Sequence, residues 1–187
     1  MDELINKVWF TYKARIRASE RLQGNNTHSQ FLLVWYALIS ASLTIATIKY
    51  PKLLGDNTDI TSAILSVALL VISLLVTNVD YRGRAIEMRR NYLSLQRLYN
   101  SLLTQKNLSV PTQSILDEYT NLLEVIENHS SIDDKYWRVI FSPNTSRPVT
   151  CTEKLDVYLY LALRYSILVI GYLLPVLVGV TLLKICL

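Results

Sequence analysis

Apolar residues follow two rhythms along this chain. In three blocks they run almost unbroken: Gln30 to Ile48, Ile60 to Val79 and Tyr165 to Leu183. Elsewhere they recur every three or four positions among charged and polar neighbours, the period of an amphipathic helix. The middle block, ITSAILSVALLVISLLVTNV, is 20 residues long and carries no charge. At 1.5 Å per residue it spans roughly 30 Å, the hydrocarbon thickness of a bilayer. The pattern predicts an all-α integral membrane protein. A transmembrane helical hairpin extends into a cytoplasmic helical bundle, and a third transmembrane helix, about 165–183, ends the chain. Pro175 should kink that last helix, a break that neighbouring helices can absorb in a membrane.

The periodic stretches fill in the bundle. Asp2 to Gln23 reads as an amphipathic helix, with Ile5, Trp9, Tyr12 and Ile16 on its apolar stripe. Lys13, Arg17 and Arg21 lie on another face with Arg15 nearby, expected to be solvated or to rest on an anionic leaflet. Gly24-Asn25-Asn26 should stop this helix. Beyond Asp80 a seam alternates steps of four and three: Tyr81, Ala85, Met88, Tyr92, Leu95, Tyr99 and Leu102. Such spacing keeps one edge facing a partner helix. The helix should run unbroken from Ile60 to Gln105, with only Gly83 against it.

After Pro111, Thr112 to His129 resumes the period through Ile115, Tyr119, Leu122 and Ile126. The first of these two segments is basic and the second acidic, through Asp117, Glu118, Glu124 and Glu127. They form either an antiparallel pair joined around Lys106 to Pro111 or seams that meet other copies. Ser130 to Thr152 reads as a loop with at most a short helix at Asp133 to Phe141. Its exposed candidates are Tyr136, Trp137 and Arg147. A boundary near Trp137 separates the membrane effector region, 1–137, from the loop and last apolar helix, 138–187.

Polar positions inside the spans form two stripes. Tyr36, Ala37, Ser40, Thr44 and Thr47 share a face of the first span; Ser62, Ser66, Ser73 and Thr77 share a face of the second. Small and hydroxylated residues let helices approach closely and hydrogen-bond across the gap. The stripes therefore either pack against each other in the hairpin or line a narrow uncharged path when copies assemble. Neither span holds an Asp, Glu, Lys, Arg or His, which argues against a proton relay or charge-coupled transport. Trp35 and Tyr36 should sit toward the interface.

Charge sets the orientation. Lys7, Lys13, Arg15, Arg17 and Arg21 precede the first span; Arg82, Arg84, Arg89, Arg90 and Arg97 follow the second. In the connection between them, Lys49 and Lys52 are offset by Asp56 and Asp59. By the positive-inside rule both flanks are cytoplasmic and the connection is outside. The N-terminus and residues 80–154 are then cytoplasmic, with the C-terminus outside if all three blocks cross. The N-terminus lacks the basic-then-apolar form of a cleavable leader, so the first span should act as its own targeting signal. The overall charge of +4 comes without a nucleic-acid recognition motif, and no direct nucleic-acid binding is expected. Cys151 and Cys186 are too few for a disulfide framework or a zinc site and would lie on opposite sides of the membrane.

No catalytic constellation is legible. The chain has no phosphate-cradling glycine loop, no paired-cysteine metal spacing and no nucleophile elbow. His129 with Asp133 and Asp134 is the one cluster with metal-ligand residue types, and a helix-terminal histidine explains it as well. Neither an enzyme nor a cofactor is expected.

Three segments carry a family resemblance: TYKARIRASERL (Thr11 to Leu22), the close pair of spans, and DYRGRAIEMRRNYLSLQRLYNSL (Asp80 to Leu103). Together they resemble the SLATT superfamily, the two-transmembrane effector domains associated with SMODS and SLOG proteins in bacterial conflict systems. EVIENHSSIDDKYW (Glu124 to Trp137) is similar to the region after the second span in one branch. The resemblance extends through about Trp137 and brings no catalytic residues. It implies an inner-membrane antiphage effector of the abortive-infection type, acting as a homo-oligomer among membrane lipids. Such an effector would form a pore or perturb the membrane when triggered. The trigger would be a nucleotide second messenger or a partner sensor enzyme, a nucleotidyltransferase or reverse transcriptase. The competing reading is a non-conducting membrane-anchored scaffold whose cytoplasmic helices bind a partner.

Overall fold

The computed structural model describes residues 1–53, 55–105, 112–141 and 148–186. They form six helices: α1 Asp2–Lys49, α2 Thr58–Val79, α3 Tyr81–Thr104, α4 Gln113–Glu124, α5 Ser131–Ile140 and α6 Cys151–Cys186. No strand occurs among the described residues. Three helices, α1, α2 and α6, contain segments long and apolar enough to cross a membrane. The expected all-α membrane architecture is therefore present. The turn expected around Lys106 to Pro111 and the candidate Arg147 lie outside the described residues.

Two helix boundaries differ from the sequence expectation. α1 does not stop at Gly24-Asn25-Asn26 but runs through it for 48 residues. One internal glycine costs only about 1 kcal/mol, and helix propensity yields to packing on both sides. The Asn25 side chain is held as well, accepting from Arg164 at 3.0 Å. Conversely, the helix expected from Ile60 to Gln105 is broken at Asp80, which adopts the left-handed conformation, φ 45° and ψ 52°. Aspartate tolerates this region better than most residues with a side chain. The break falls where the apolar run ends, not at Gly83.

The chain forms two compact units, each from separated stretches. Unit 1 comprises Met1–Gly24 and Arg82–Leu161; unit 2 comprises Asn25–Tyr81 and Ala162–Leu187. Unit 1 closes around Leu4, Ile5 and Val8 of α1 with Leu95, Leu98 and Leu102 of α3. Ile115, Tyr119 and Leu122 of α4 pack against this cluster. The antiparallel pair anticipated from sequence is thus one side of a three-helix core, with α1 supplying the third wall.

α4 and α5 are both short. α4 ends at Glu124, leaving Ile126 to His129 outside the helix. α5 starts on a capping box in which Ser130 and Asp133 each accept from the other's backbone N–H. This satisfies two otherwise orphaned N–H groups and anchors the short helix expected at Asp133 to Phe141, which starts two residues earlier.

Candidate functional site

In unit 2, α1 and α6 run side by side and parallel. Asn25 meets Arg164 and Leu32 meets Gly171, each pair 139 residues apart. Because α2 returns from the end of α1, α6 finishes at the end of unit 2 where the α1–α2 connection lies. α2 is barely covered: its most apolar window is 0% buried.

The hydroxyl stripes satisfy themselves. Thr44 donates to the Ser40 carbonyl at 3.0 Å, Thr47 to Thr44 at 2.7 Å, Ser66 to Ser62 at 3.0 Å and Thr77 to Ser73 at 2.9 Å. Bonds to a carbonyl one turn back leave such hydroxyls without need of a partner helix. Ser40, Thr47, Ser62 and Ser73 are half-buried; Thr44, Ser66 and Thr77 are exposed. The Ser62 hydroxyl is buried with no partner among the described residues.

Polar bonds that cross between helices in unit 2 come from Trp35 and from Tyr36, the one aromatic member of the first-span stripe. The Trp35 indole N–H donates to the Tyr172 carbonyl at 3.3 Å, and the Tyr36 hydroxyl to the Gly171 carbonyl at 3.0 Å. These two aromatic residues fasten α1 to α6. Pro175 lies inside α6, one turn beyond the carbonyls they hold.

The seam on α3 is filled within the chain. Ala85, Met88, Leu95 and Leu102 are buried; Tyr81, Tyr92 and Tyr99 are half-buried. The fully covered register passes instead through Asn91 and Leu98, with Tyr92 and Tyr99 at its edge where their hydroxyls can reach water. Tyr99 stacks on Tyr12 of α1, with ring centroids 6.4 Å apart.

The basic face of α1 is covered rather than solvated. Arg15 is wholly buried. Its guanidinium donates to the Leu122 carbonyl at 2.8 Å, to the Leu123 carbonyl at 3.4 Å and to the Asn91 side-chain oxygen. Asn91 in turn donates to the Leu122 carbonyl at 2.8 Å. A cation and an amide thus cap the end of α4, where the helix dipole presents partial negative charge. Burial pushes the Arg15 pKa down from its usual value, while Tyr119 pulls it up.

Arg21 makes a two-pronged ion pair with the buried Asp133, at 2.8 and 2.9 Å, which raises the Arg21 pKa. Arg17 lies 3.7 Å over the Tyr136 ring, and Lys13 lies 4.9 Å over Trp137. Tyr136 and Trp137, expected to be exposed, are half-buried beneath these cations.

The sequence held a signal for this network. Arg15 sits seven residues from both Val8 and Leu22, in the apolar register, and Asn91 falls between Met88 and Leu95. A polar residue in such a register marks either a misplaced face or a buried polar contact.

His129, Asp133 and Asp134 do not gather as metal ligands. Asp133 is taken by Arg21 and by the Ser130 N–H, and Asp134 by Arg138 at 3.0 Å. His129 has its Nδ1 buried with no partner among the described residues. Its pKa is lowered by burial and then by Arg15, against the opposing pull of Asp134 and Asp133.

A folded pKa below the ordinary value of about 6.5 means that the unfolded chain takes up the proton first. The stability His129 contributes is complete above about pH 6.5 and is lost as pH falls through its folded pKa. The unfolding midpoint of unit 1 should therefore drop on acidification from about pH 7 to about pH 5. His129→Phe should flatten that slope, as read by thermal unfolding across pH.

Comparison with known proteins places this architecture. Over residues 1–184 the chain matches the family described as SMODS and SLOG-associating 2TM effector domain family 5. The chain belongs to this SLATT family. No curated protein and no solved structure is significantly similar to it. Membership makes it a membrane effector domain of conflict systems. The SLATT match runs past Trp137 and through nearly all of α6, so the third apolar helix falls within the matched domain. The family's name specifies two spans, whereas three helices here are long and apolar enough to cross.

Proposed function

We propose that this SLATT domain permeabilises the bacterial inner membrane when a nucleotide signal or a partner sensor enzyme activates it, acting as a homo-oligomer. The observation that carries the reading is unit 2 itself. Its spans hold no charge, the hydroxyls of Thr44, Thr47, Ser66 and Thr77 are bonded within their own helices, and the apolar surface of α2 is open. A membrane surface of this kind accepts lipid at rest and further copies on assembly, with no intramembrane charge to move first. The cation-rich flanks of α1 and α3 support a cytoplasmic unit 1, and the parallel course of α6 then carries its end to the outer side.

The test is leakage from liposomes containing the purified protein. Solutes of increasing size are compared, with cyclic nucleotides added in turn and then a candidate sensor enzyme. Size-limited leakage that depends on the trigger is expected. Replacing Ser66 and Ser73 together by Leu should abolish it while leaving insertion intact, if the α2 stripe lines the path. Leakage unchanged by the double substitution removes the stripe from the path. Absence of leakage under every trigger leaves the anchored scaffold as the better account.

A further inference from the structure

A proline within a helix removes one backbone N–H, and its ring crowds the carbonyl four residues earlier. In α6 the proline is Pro175 and the carbonyl belongs to Gly171. That carbonyl receives the Tyr36 hydroxyl from α1 at 3.0 Å. The next one, on Tyr172, receives the Trp35 indole N–H at 3.3 Å. The Tyr172 hydroxyl lies 3.4 Å from Nδ1 of His28, so α1 grips this turn of α6 at a third point. Leu32 of α1 packs on Gly171, and a Cβ placed there would lie 3.5 Å from a Leu32 methyl, in ordinary contact.

We propose that the Tyr36 hydroxyl stands in for the N–H that Pro175 lacks and thereby latches α6 to α1 at a proline hinge. Release of this latch is the movement by which the membrane unit changes state, a step that rests on the permeabilising reading above.

The physical argument concerns where a donor is needed. In the helix interior each carbonyl has its own N–H partner four residues on, so a neighbouring helix can rotate past it at little cost. The Gly171 carbonyl has no such partner, and in hydrocarbon it must be met by another group. Turning α6 by one residue, about 100°, or sliding it about 1.5 Å would carry the carbonyl away from Tyr36. It would then require water or a different donor. Losing the bond is therefore tied to admitting water beside α6, which is the change a conducting path needs. The hydroxyls of Thr44, Thr47, Ser66 and Thr77 offer no substitute, because they are bonded within their own helices.

The experiment is a two-by-two set in the full chain: wild type, Tyr36→Phe, Pro175→Ala and the double variant. Each is reconstituted in vesicles of phosphatidylethanolamine and phosphatidylglycerol. Thermal unfolding and untriggered leakage of a small dye are measured. Tyr36→Phe alone should lower the unfolding midpoint and raise untriggered leakage about three- to tenfold, the range expected for one intramembrane hydrogen bond. Pro175→Ala returns an N–H to the Gly171 carbonyl, so adding Tyr36→Phe to it should change neither quantity. Equal losses in both backgrounds would overturn the latch, because Tyr36 would then act through packing alone.

Should Pro175→Ala fail to insert, isotope-edited infrared spectroscopy of the glycine carbonyls gives an independent reading. The Gly171 band is assigned by its loss in Gly171→Ala, a substitution for which the site has room. Tyr36→Phe should move that band to higher frequency, and an unmoved band overturns the proposal. Coupling in the unfolding midpoints with no leakage from any variant, even with the triggers named above added, sustains the latch and sinks the permeabilising reading. Leakage without coupling does the reverse.

Discussion

Leu95→Asp should unfold unit 1 while α2 remains inserted in the membrane. Leu95 is fully buried among Leu4, Ile5, Val8, Leu98 and Leu102, where a carboxylate is cut off from water. Burying an unpaired charge costs several kcal/mol even after relaxation. Domains of this size are stable by only about 5–15 kcal/mol in total. The milder Leu95→Ala should cost about 2–5 kcal/mol. Limited proteolysis in vesicles checks the outcome, with the residues of unit 1 expected to become cleavable and the spans to stay protected. A Leu95→Asp protein that stays compact but loses its oligomers would show that the seam meets another copy. The α1–α3–α4 packing found here would then not be its main occupation.

Arg15→Ala should be nearly as damaging, although it removes a charged residue from a helix whose basic face suggested solvent. Its guanidinium is wholly enclosed and donates to the Leu122 and Leu123 carbonyls and to Asn91. Removing it leaves the Leu123 carbonyl and the Asn91 oxygen without this donor and the Leu122 carbonyl with Asn91 alone, at about 1–3 kcal/mol for each acceptor that water cannot reach. The cavity adds to that. Loss of about 3 kcal/mol or more is expected, with hydrogen exchange accelerating first around the end of α4 and the turn into α5. Arg15→Lys should fall between, because an ammonium keeps the charge but lacks the planar fork that reaches several acceptors at once. If Arg15→Ala unfolds no more readily than wild type, the guanidinium is not holding the end of α4.

Leu95 lies on both the hydrophobic pattern and the packed register, whereas Arg15 sits where the two diverge by one residue. On α3 the four-three pattern runs through Tyr92 and Tyr99, whereas the covered face runs through Asn91 and Leu98. An ideal helix drifts only about 20° per heptad against a strict 3.5-residue repeat, so Leu95 and Leu102 of the pattern stay buried while the bulky Tyr92 and Tyr99 fall at the edge of the covered face. On α1 the same pattern put Arg15 beside the basic residues. The packed face includes it, because α4 ends there and its last carbonyls need a donor.

What could be read from the residues in order is what local and large effects control. Twenty uncharged residues from Ile60 to Val79 can only be a span or a fully buried helix. The arginines after Asp80 and the apolar periods on either side needed no partner to be legible, and a short helix near Asp133 was legible too. Long-range packing settled where helices continue and what their polar groups meet. It carried α1 through Gly24-Asn25-Asn26 and broke the chain at Asp80, since a cost of about 1 kcal/mol is outweighed by packing on either side. It placed the Tyr36 hydroxyl on the Gly171 carbonyl, 135 residues away. No local pattern holds that information, because the need created by Pro175 and the group that meets it lie on different helices.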